Sequence, residues 1–220
     1  MALRWRLSIL GTKAAGKGTQ IRRLVDNFNL VYFSPGEMFR QAAKKNTQLG
    51  LIAQRAFVRG DLVADDIVNA LVEEWLWTTT PNQSIVFDGF PRTLPQAEFL
   101  AAAFADMKRE LDAVIYLEVT DQTVVDRLVG RRFCRICRDE FHLDSAPFQA
   151  CPYGKCEGQY LRPFEEDKPE SVQSLIAAFK GGIRALLNFY RKRRKLIRVD
   201  GEGTADEVHA RLVKKILPFR

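Results

Sequence analysis

An apolar strand pattern from Arg4 to Leu10 runs directly into Gly11-Thr12-Lys13-Ala14-Ala15-Gly16-Lys17-Gly18-Thr19. Lys17 to Phe28 then carries Ile21, Leu24, Val25 and Phe28 at helical spacing on one face. A glycine-rich turn between strand and helix, with lysine after its second glycine, is a phosphate-binding loop. Its glycines let the backbone curl until several N–H groups face one anion, the helix N-terminus adds a positive end, and Lys17 adds a full charge for the β and γ phosphates. The bland alternative is a strand-to-helix turn with no ligand, and lysine at this spacing argues against it. The residue after the lysine, where a hydroxyl usually ligates Mg²⁺, is Gly18. Thr19 is therefore expected on a phosphate. Asp88, which closes a short apolar run, is the better candidate to hold Mg²⁺ and its waters, with a strand-end cap as the alternative.

The remaining pattern alternates. A helix is expected from about Asp65 to Trp77, with Ile67, Leu71 and Trp75 four apart and two aspartates at its start. Ser84 to Phe87 and Ala113 to Val119 read as buried parallel strands. Thr120 and Asp121 can cap a helix carrying Val124, Val125 and Leu128. Residues 132 to 164 break the rhythm and read as an irregular insert. Helical pattern returns from about Glu170 to Tyr190, Leu196 to Val199 is a last strand, and Thr204 with Glu207 makes a capping box for a helix ending at Ile216. Alternation of this kind predicts an α/β fold: a five-stranded parallel sheet with helices on both faces, plus inserts.

The chain has 220 residues, 46% hydrophobic, which is enough for one buried core. Its net charge of +7 suits a phosphate-bearing partner, whether nucleotide, nucleic acid or membrane surface. No apolar run reaches membrane-spanning length, and Leu7 to Leu10 is too short for a signal-peptide core, so a cytoplasmic protein is expected.

Four arginines sit in motif-like settings after the loop. Arg40 follows Ser34-Pro35-Gly36-Glu37. Arg92 lies in Asp88-Gly89-Phe90-Pro91-Arg92-Thr93-Leu94-Pro95-Gln96. Arg127 and Arg131 lie four apart in Val125-Asp126-Arg127-Leu128-Val129-Gly130-Arg131-Arg132 and are expected on one helix face. Phosphoryl transfer spreads negative charge over the moving group and needs several cations at fixed positions. Any one of these arginines could be a solvated surface charge; four together argue otherwise.

With GKGTQ (16–20), LGLIAQ (49–54), DGFPRTLPQAE (88–98), VDRLVGRR (125–132) and VDG (199–201), the sequence resembles the long-lid adenylate kinases from Arg6 to about Leu217. The resemblance implies a phosphotransferase that moves the γ-phosphoryl of ATP to AMP, giving two ADP, with Mg²⁺. It implies a core of residues 1–34, 65–130 and 169–220, a monophosphate-binding insert at 35–64 and a lid at 131–168. Ala14, Ala15, Gly16, Lys17, Gly18 and Thr19, with Arg131 and Gly203, would hold ATP. Pro35, Arg40, Asp61, Leu62, Val63, Gly89, Phe90, Pro91, Arg92 and Gln96 would hold AMP, with Gln96 reading the adenine edge. Lys17, Asp88, Arg92, Arg127, Arg131 and Arg162 would carry the chemistry. A monomer with nucleotides as its partners, and with neither membrane nor nucleic acid, is expected. Two departures stand out. Pro35 replaces the family's threonine, and an ungapped match from Glu166 to Tyr190 puts Leu175 where the family has a lid-helix arginine. Lys168, Lys180 or Arg184 could substitute. A slow enzyme, a UMP/CMP-type kinase and a nucleotide-binding protein with little catalysis stay open.

Cys134 and Cys137 are followed by thirteen residues, then Cys151, four more, and Cys156. Two thiolate pairs on short turns can close a tetrahedron around a structural Zn²⁺, the alternative being four free cysteines. His142 could replace one of them or be solvated. The run Arg191-Lys192-Arg193-Arg194-Lys195 is expected to be a solvated helix end. Together with zinc it also motivates a rival reading as a nucleic-acid-binding protein, against which no recognition-helix pattern is found.

Overall fold

The computed structural model describes residues 4–59 and 63–219. The chain forms two compact units. One holds the chain up to Gly11, Gly16–Glu118 and everything from Gly182 on. The other holds Thr12–Ala15 and Val119–Gly181.

The first unit is built on five parallel strands: β1 (Arg6–Leu10), β2 (Val31–Phe33), β3 (Ile85–Asp88), β4 (Ala113–Glu118) and β8 (Leu196–Asp200), in the order β2-β3-β1-β4-β8. β1 lies at the centre of a sheet covered on both faces, with Leu7, Ile9 and Leu10 buried, and the buried Ser8 hydroxyl donates to the Phe90 carbonyl at 2.6 Å. Its register pairs Ile9 with Asp88, and the Gly89 N–H donates to the Ile9 carbonyl at 2.9 Å. The segments following β1 and β3 therefore leave the same edge of the sheet, where parallel α/β folds bind ligands.

The helices of this unit are α1 (Lys17–Phe28), α2 (Pro35–Lys44), α3 (Gln48–Arg59), α4 (Asp65–Trp77), α5 (Leu94–Asp106) and α8 (Ala205–Ile216). α1 begins at Gly16, whose φ of 95° is reached without strain only by glycine, and buries Ile21 and Leu24. The capping box of Thr204 and Glu207 is present at α8. Phe87 on β3 is the hub of an aromatic cluster, with ring centroids 5.4 Å from Trp75, 5.7 Å from Phe90, 6.0 Å from Phe33 and 6.3 Å from Phe104. This packing fixes β3 against α4 and α5, and with it the adjacent Asp88.

The second unit contains α6 (Asp121–Val129), the small antiparallel sheet β6-β5-β7 (β5 Arg131–Cys134, β6 Glu140–His142, β7 Leu161–Arg162) and a 3-10 turn at Glu165–Asp167. α7 (Pro169–Lys192) starts here and continues into the first unit. Thr120 caps α6 by accepting the Thr123 N–H at 3.1 Å. The sequence reading left 132–164 irregular, and its three strands are two to four residues long, too short for a period-2 pattern to register. Gly130 ends α6, and a Cβ there would lie 2.4 Å from the His142 ring, so the chain leaves the helix at a residue with no side chain. Arg131 consequently lies in β5, and the expectation that Arg127 and Arg131 share a helix face is corrected.

Leu175 packs against the buried cluster of Val124, Leu128, Val172 and Ile176. α7 turns this position toward an apolar core. Leu175→Arg should therefore destabilise the chain by about 1–2 kcal/mol, moderated because an arginine stem can cover apolar surface while its head reaches water. The readout is a melting temperature lowered by a few degrees with no gain in turnover.

Candidate active site

Two groups of charged side chains are assembled, one in each unit. In the first, Lys17 at the start of α1 donates from Nζ to the Gly11 carbonyl at 2.8 Å. Its pKa is pushed down to about 8, first by burial and then by Arg92, with Asp88 pulling the other way. Arg92 keeps some solvent exposure, yet the groups crowded around its guanidinium thin its hydration and lower its pKa. Asp88 opposes that shift and Arg40 adds to it. Arg92 Nε donates to the Gly89 carbonyl at 2.9 Å, and a Cβ on Gly89 would lie 3.2 Å from the same guanidinium. Gly89, at φ 62°, is thus needed both for its backbone angle and for this close approach. Arg40 is exposed on α2 and held by Glu37, which accepts from its Nε and Nη2 at 3.0 and 2.7 Å and whose own pKa is lowered by that bond. Lys17, Arg92 and Arg40 therefore form a series of like charges, with Asp88 opposing the first two and Glu37 paired to the third.

Other expected residues fall around this group. Pro35 opens α2 and Ser34 caps it. Val63 and Phe90 are buried, and the Phe90–Pro91 peptide is cis. Gln96 is buried on α5 with both ends of its amide bonded to the protein. Gly18 and Thr19 are exposed on the first turn of α1. Gly203, at φ 91°, precedes α8. Asp61 and Leu62 lie outside the described residues.

In the second unit, Asp167 is 3% exposed and binds two cations at once. Its Oδ2 accepts from Arg131 Nε at 2.7 Å and Nη2 at 2.6 Å, and its Oδ1 from Lys13 Nζ at 3.1 Å. The Arg131 guanidinium also lies over the Phe164 ring, 4.5 Å from its centroid. Arg127 Nη1 donates to the Ala14 carbonyl at 3.0 Å. Arg162 is exposed on β7 and donates to the carbonyls of Gln159 and Leu161. Lys168 pairs with Glu165, and Lys180 with Asp121. Lys13 and Asp167 were not singled out from sequence. Asp167 stands third in the acidic run Glu165-Glu166-Asp167, where composition suggests solvent and nothing marks the one member that turns inward.

The four cysteines are free, and three of them, Cys134, Cys137 and Cys156, bring their sulfurs within 4.8 Å of one another. Cys151 hydrogen-bonds to Cys137 and Cys156. The Cys134 sulfur accepts from the Cys137 and Ile136 N–H groups at 3.5 and 3.4 Å, which bring its pKa down to about 7. Burial works upward on Cys151, but the N–H groups of Lys155 and Tyr153 bring it down to about 7 as well. Each short turn thus offers one sulfur prepared as a thiolate, the form that binds metal. His142 stands apart from this cluster. Its Nδ1 accepts from the Asp144 and Ser145 N–H groups at 3.2 Å, and its Nε2 meets the Asp126 carbonyl at 3.0 Å. In the basic run, Arg193 stacks on Phe189 at 3.5 Å and Lys195 pairs with Glu110.

The family model for adenylate kinase matches residues 9–195. This chain belongs to the adenylate kinase family. It is 39% identical over 214 residues to the adenylate kinase of Latilactobacillus sakei, covering 96% of this chain and 97% of that one. It is 37% identical over 216 residues to that of Listeria innocua (97% and 100%), and 35% identical over 212 residues to that of Enterococcus faecalis (96% and 98%). Among the described residues, no helix is long and apolar enough to cross a membrane.

The state of Lys17 makes a pH test. Because its folded pKa of about 8 lies below the ordinary lysine value of 10.5, the ligand-free fold binds fewer protons than the unfolded chain between those values. That contribution to stability therefore rises with pH across the window and is lost as pH falls through about 8. The positive charge itself, which would meet phosphate, moves the opposite way. Between pH 7 and pH 9 the charged fraction falls roughly tenfold, and ATP affinity should weaken by about that factor. Titration of ATP at the two pH values checks this. An affinity that is flat with pH, in a protein that keeps its fold, would show that Lys17 is not the phosphate cation.

Proposed function

We propose that this chain transfers the γ-phosphoryl group of ATP to AMP, giving two ADP. The observation that carries the reading is the cation series Lys17, Arg92 and Arg40: burial lowers the pKa of Lys17 and of Arg92, Arg92 adds to it at Lys17 and Arg40 at Arg92, and Asp88 opposes both shifts. Such a group is electrostatically unfavourable when empty and becomes favourable when a polyanion enters. Lys17, with the backbone of Ala14 to Thr19, would hold the ATP phosphates. Arg92 and Arg40 would grip the monophosphate, with Val63, Phe90 and Gln96 around its base. Arg127 and Arg131 would meet the charge that grows on the moving phosphoryl, and Gly203 would lie by the ATP base. The Asp88 carboxylate suits the hard-cation chemistry of Mg²⁺, and would hold the ion and its waters. Mg²⁺ bound with ATP supplies charge neutralisation and orientation of the phosphates. Arg162 has the weakest support among the proposed catalytic residues, since its guanidinium is spent on nearby carbonyls.

Residues 35–64 would form the monophosphate-binding insert and 131–168 a lid that excludes water, the competing acceptor. Reduced, clustered thiols suit the cytoplasm. An assay coupled to ADP formation across AMP, CMP, UMP and GMP tests both activity and acceptor. AMP should give the highest kcat/KM, and Lys17→Ala should abolish turnover with little loss of stability. Near-normal activity in that variant would remove the loop from the mechanism.

The cysteine cluster would hold a structural Zn²⁺ through Cys134, Cys137, Cys151 and Cys156. Four thiols leave no open coordination position, so the ion would stiffen the lid and take no part in the chemistry. Metal analysis of protein prepared without chelators should find about one zinc per chain. Chelation should raise hydrogen exchange in 131–162 before the parallel sheet is affected. Metal-free protein with an already rigid lid would contradict the assignment.

A further inference from the structure

Gln96 is 2% exposed, and each end of its amide has a partner that dictates orientation. Its Oε1 accepts from the backbone N–H of Arg92 at 2.7 Å. Its Nε2 donates to Asp65 Oδ1 at 2.6 Å. The other oxygen of Asp65 accepts from Thr93 Oγ1 at 2.8 Å, and that same hydroxyl accepts the Gln96 N–H at 3.2 Å as the cap of α5. A carboxamide rotated by half a turn keeps its shape and exchanges donor for acceptor. Here the rotation would set an NH₂ group against the Arg92 N–H and an oxygen against the Asp65 carboxylate. Only one orientation satisfies both neighbours.

We propose that Asp65, braced by Thr93, is a specificity-positioning residue. It locks the Gln96 amide in one sense, so that the acceptor nucleotide meets a fixed order of donor and acceptor. The proposal rests on the reading of Gln96 as the residue facing the base. Each end of the amide retains one further capacity, an N–H on nitrogen and a lone pair on oxygen. A 6-amino purine offers an exocyclic N–H beside a ring nitrogen acceptor, whereas a 6-oxo purine offers a carbonyl beside a ring N–H, the reverse order. A freely turning amide would suit either base by flipping. A locked one matches a single order and leaves buried polar groups unpaired with the other. Asp65 attracted notice in the sequence only as a helix-start signal.

The test compares kcat/KM for AMP and for IMP, which differ at this edge alone, in the unaltered enzyme and in Gln96→Ala, Asp65→Ala and Asp65→Asn. Asp65→Ala should lower the AMP-over-IMP ratio about tenfold, through KM more than kcat. Asp65→Asn should restore most of it, to within about threefold, because an asparagine oxygen can still accept from Nε2. If Asp65→Ala does not fold, Asp65→Ser serves, since a hydroxyl accommodates either end of the amide and should give the same fall. A ratio that drops in Gln96→Ala but holds in Asp65→Ala or Asp65→Ser would overturn the positioning role and leave the base-reading role standing. A ratio unchanged in Gln96→Ala would overturn both.

Discussion

Like charges held close together are the constraint around which the first unit is organised. Burial lowers the pKa of Lys17 and of Arg92, Asp88 opposes both shifts, and Arg92 adds to the first and Arg40 to the second. Flexible cations left to themselves would separate into solvent. These are kept together by elements that have other reasons to be where they are: α1 by its buried Ile21 and Leu24, β3 by the aromatic packing of Phe87, and Arg92 by the Gly89 turn. Hydrophobic packing thus maintains an electrostatic arrangement that is unfavourable until phosphates arrive. Donors and charges fixed before the reaction need no reorganisation as charge develops, which is why such preorganisation is effective in catalysis.

The second unit handles its cations differently. Arg131 and Lys13 share the buried Asp167 carboxylate, Glu140 and Glu166 stand 3.8 and 3.7 Å from them in turn, and Arg131 is further supported by the Phe164 ring. Asp167 therefore sets the position of two cations whose side chains are otherwise long and mobile. The cysteine turns work by a similar economy of means. Backbone N–H groups aimed at the sulfurs of Cys134 and Cys151 stabilise thiolates without any cationic side chain. One cost is visible at Arg138, just after the first turn, which takes a left-handed φ of 67° that glycine would adopt more easily.

The sequence made the outline legible wherever one periodicity or one motif dominated. Helices α1 and α4 were read to the residue, because apolar spacing is regular there, with the glycine turn marking the start of α1 and two aspartates that of α4. The buried strands β1, β3, β4 and β8 were found as apolar runs, with ends shifted by one or two residues. β2 escaped because three residues carry no periodicity, and its place beside β3 is a matter of tertiary pairing. The loop lysine and the arginines were visible as residues, but their mutual crowding was not. Leu175 shows the limit of alignment by register: the position could be matched, yet only the packing of α7 reveals that its side chain joins an apolar cluster. Asp65, Thr93, Lys13 and Asp167 were hidden for a common reason. Each acts through a partner 28 or more residues away, and nothing local distinguishes a buried carboxylate from a solvated one.

The central place of β1 has a consequence for how the protein is made. The strand that leads into Gly11–Thr19 is made well before its two neighbours in the sheet, β3 and β4. Its ladder cannot begin until Ile85–Asp88 has been synthesised, and its second edge stays bare until Ala113–Glu118 follows. β8 then covers β4 from close to the end of the chain. Throughout that interval a strand whose Leu7, Ile9 and Leu10 belong in the core waits without hydrogen-bonded company, the kind of segment that other chains can capture. Arg6 opens the strand and Arg4 and Lys13 flank it, so that copies of this segment meet with like charges, which oppose edge-to-edge pairing.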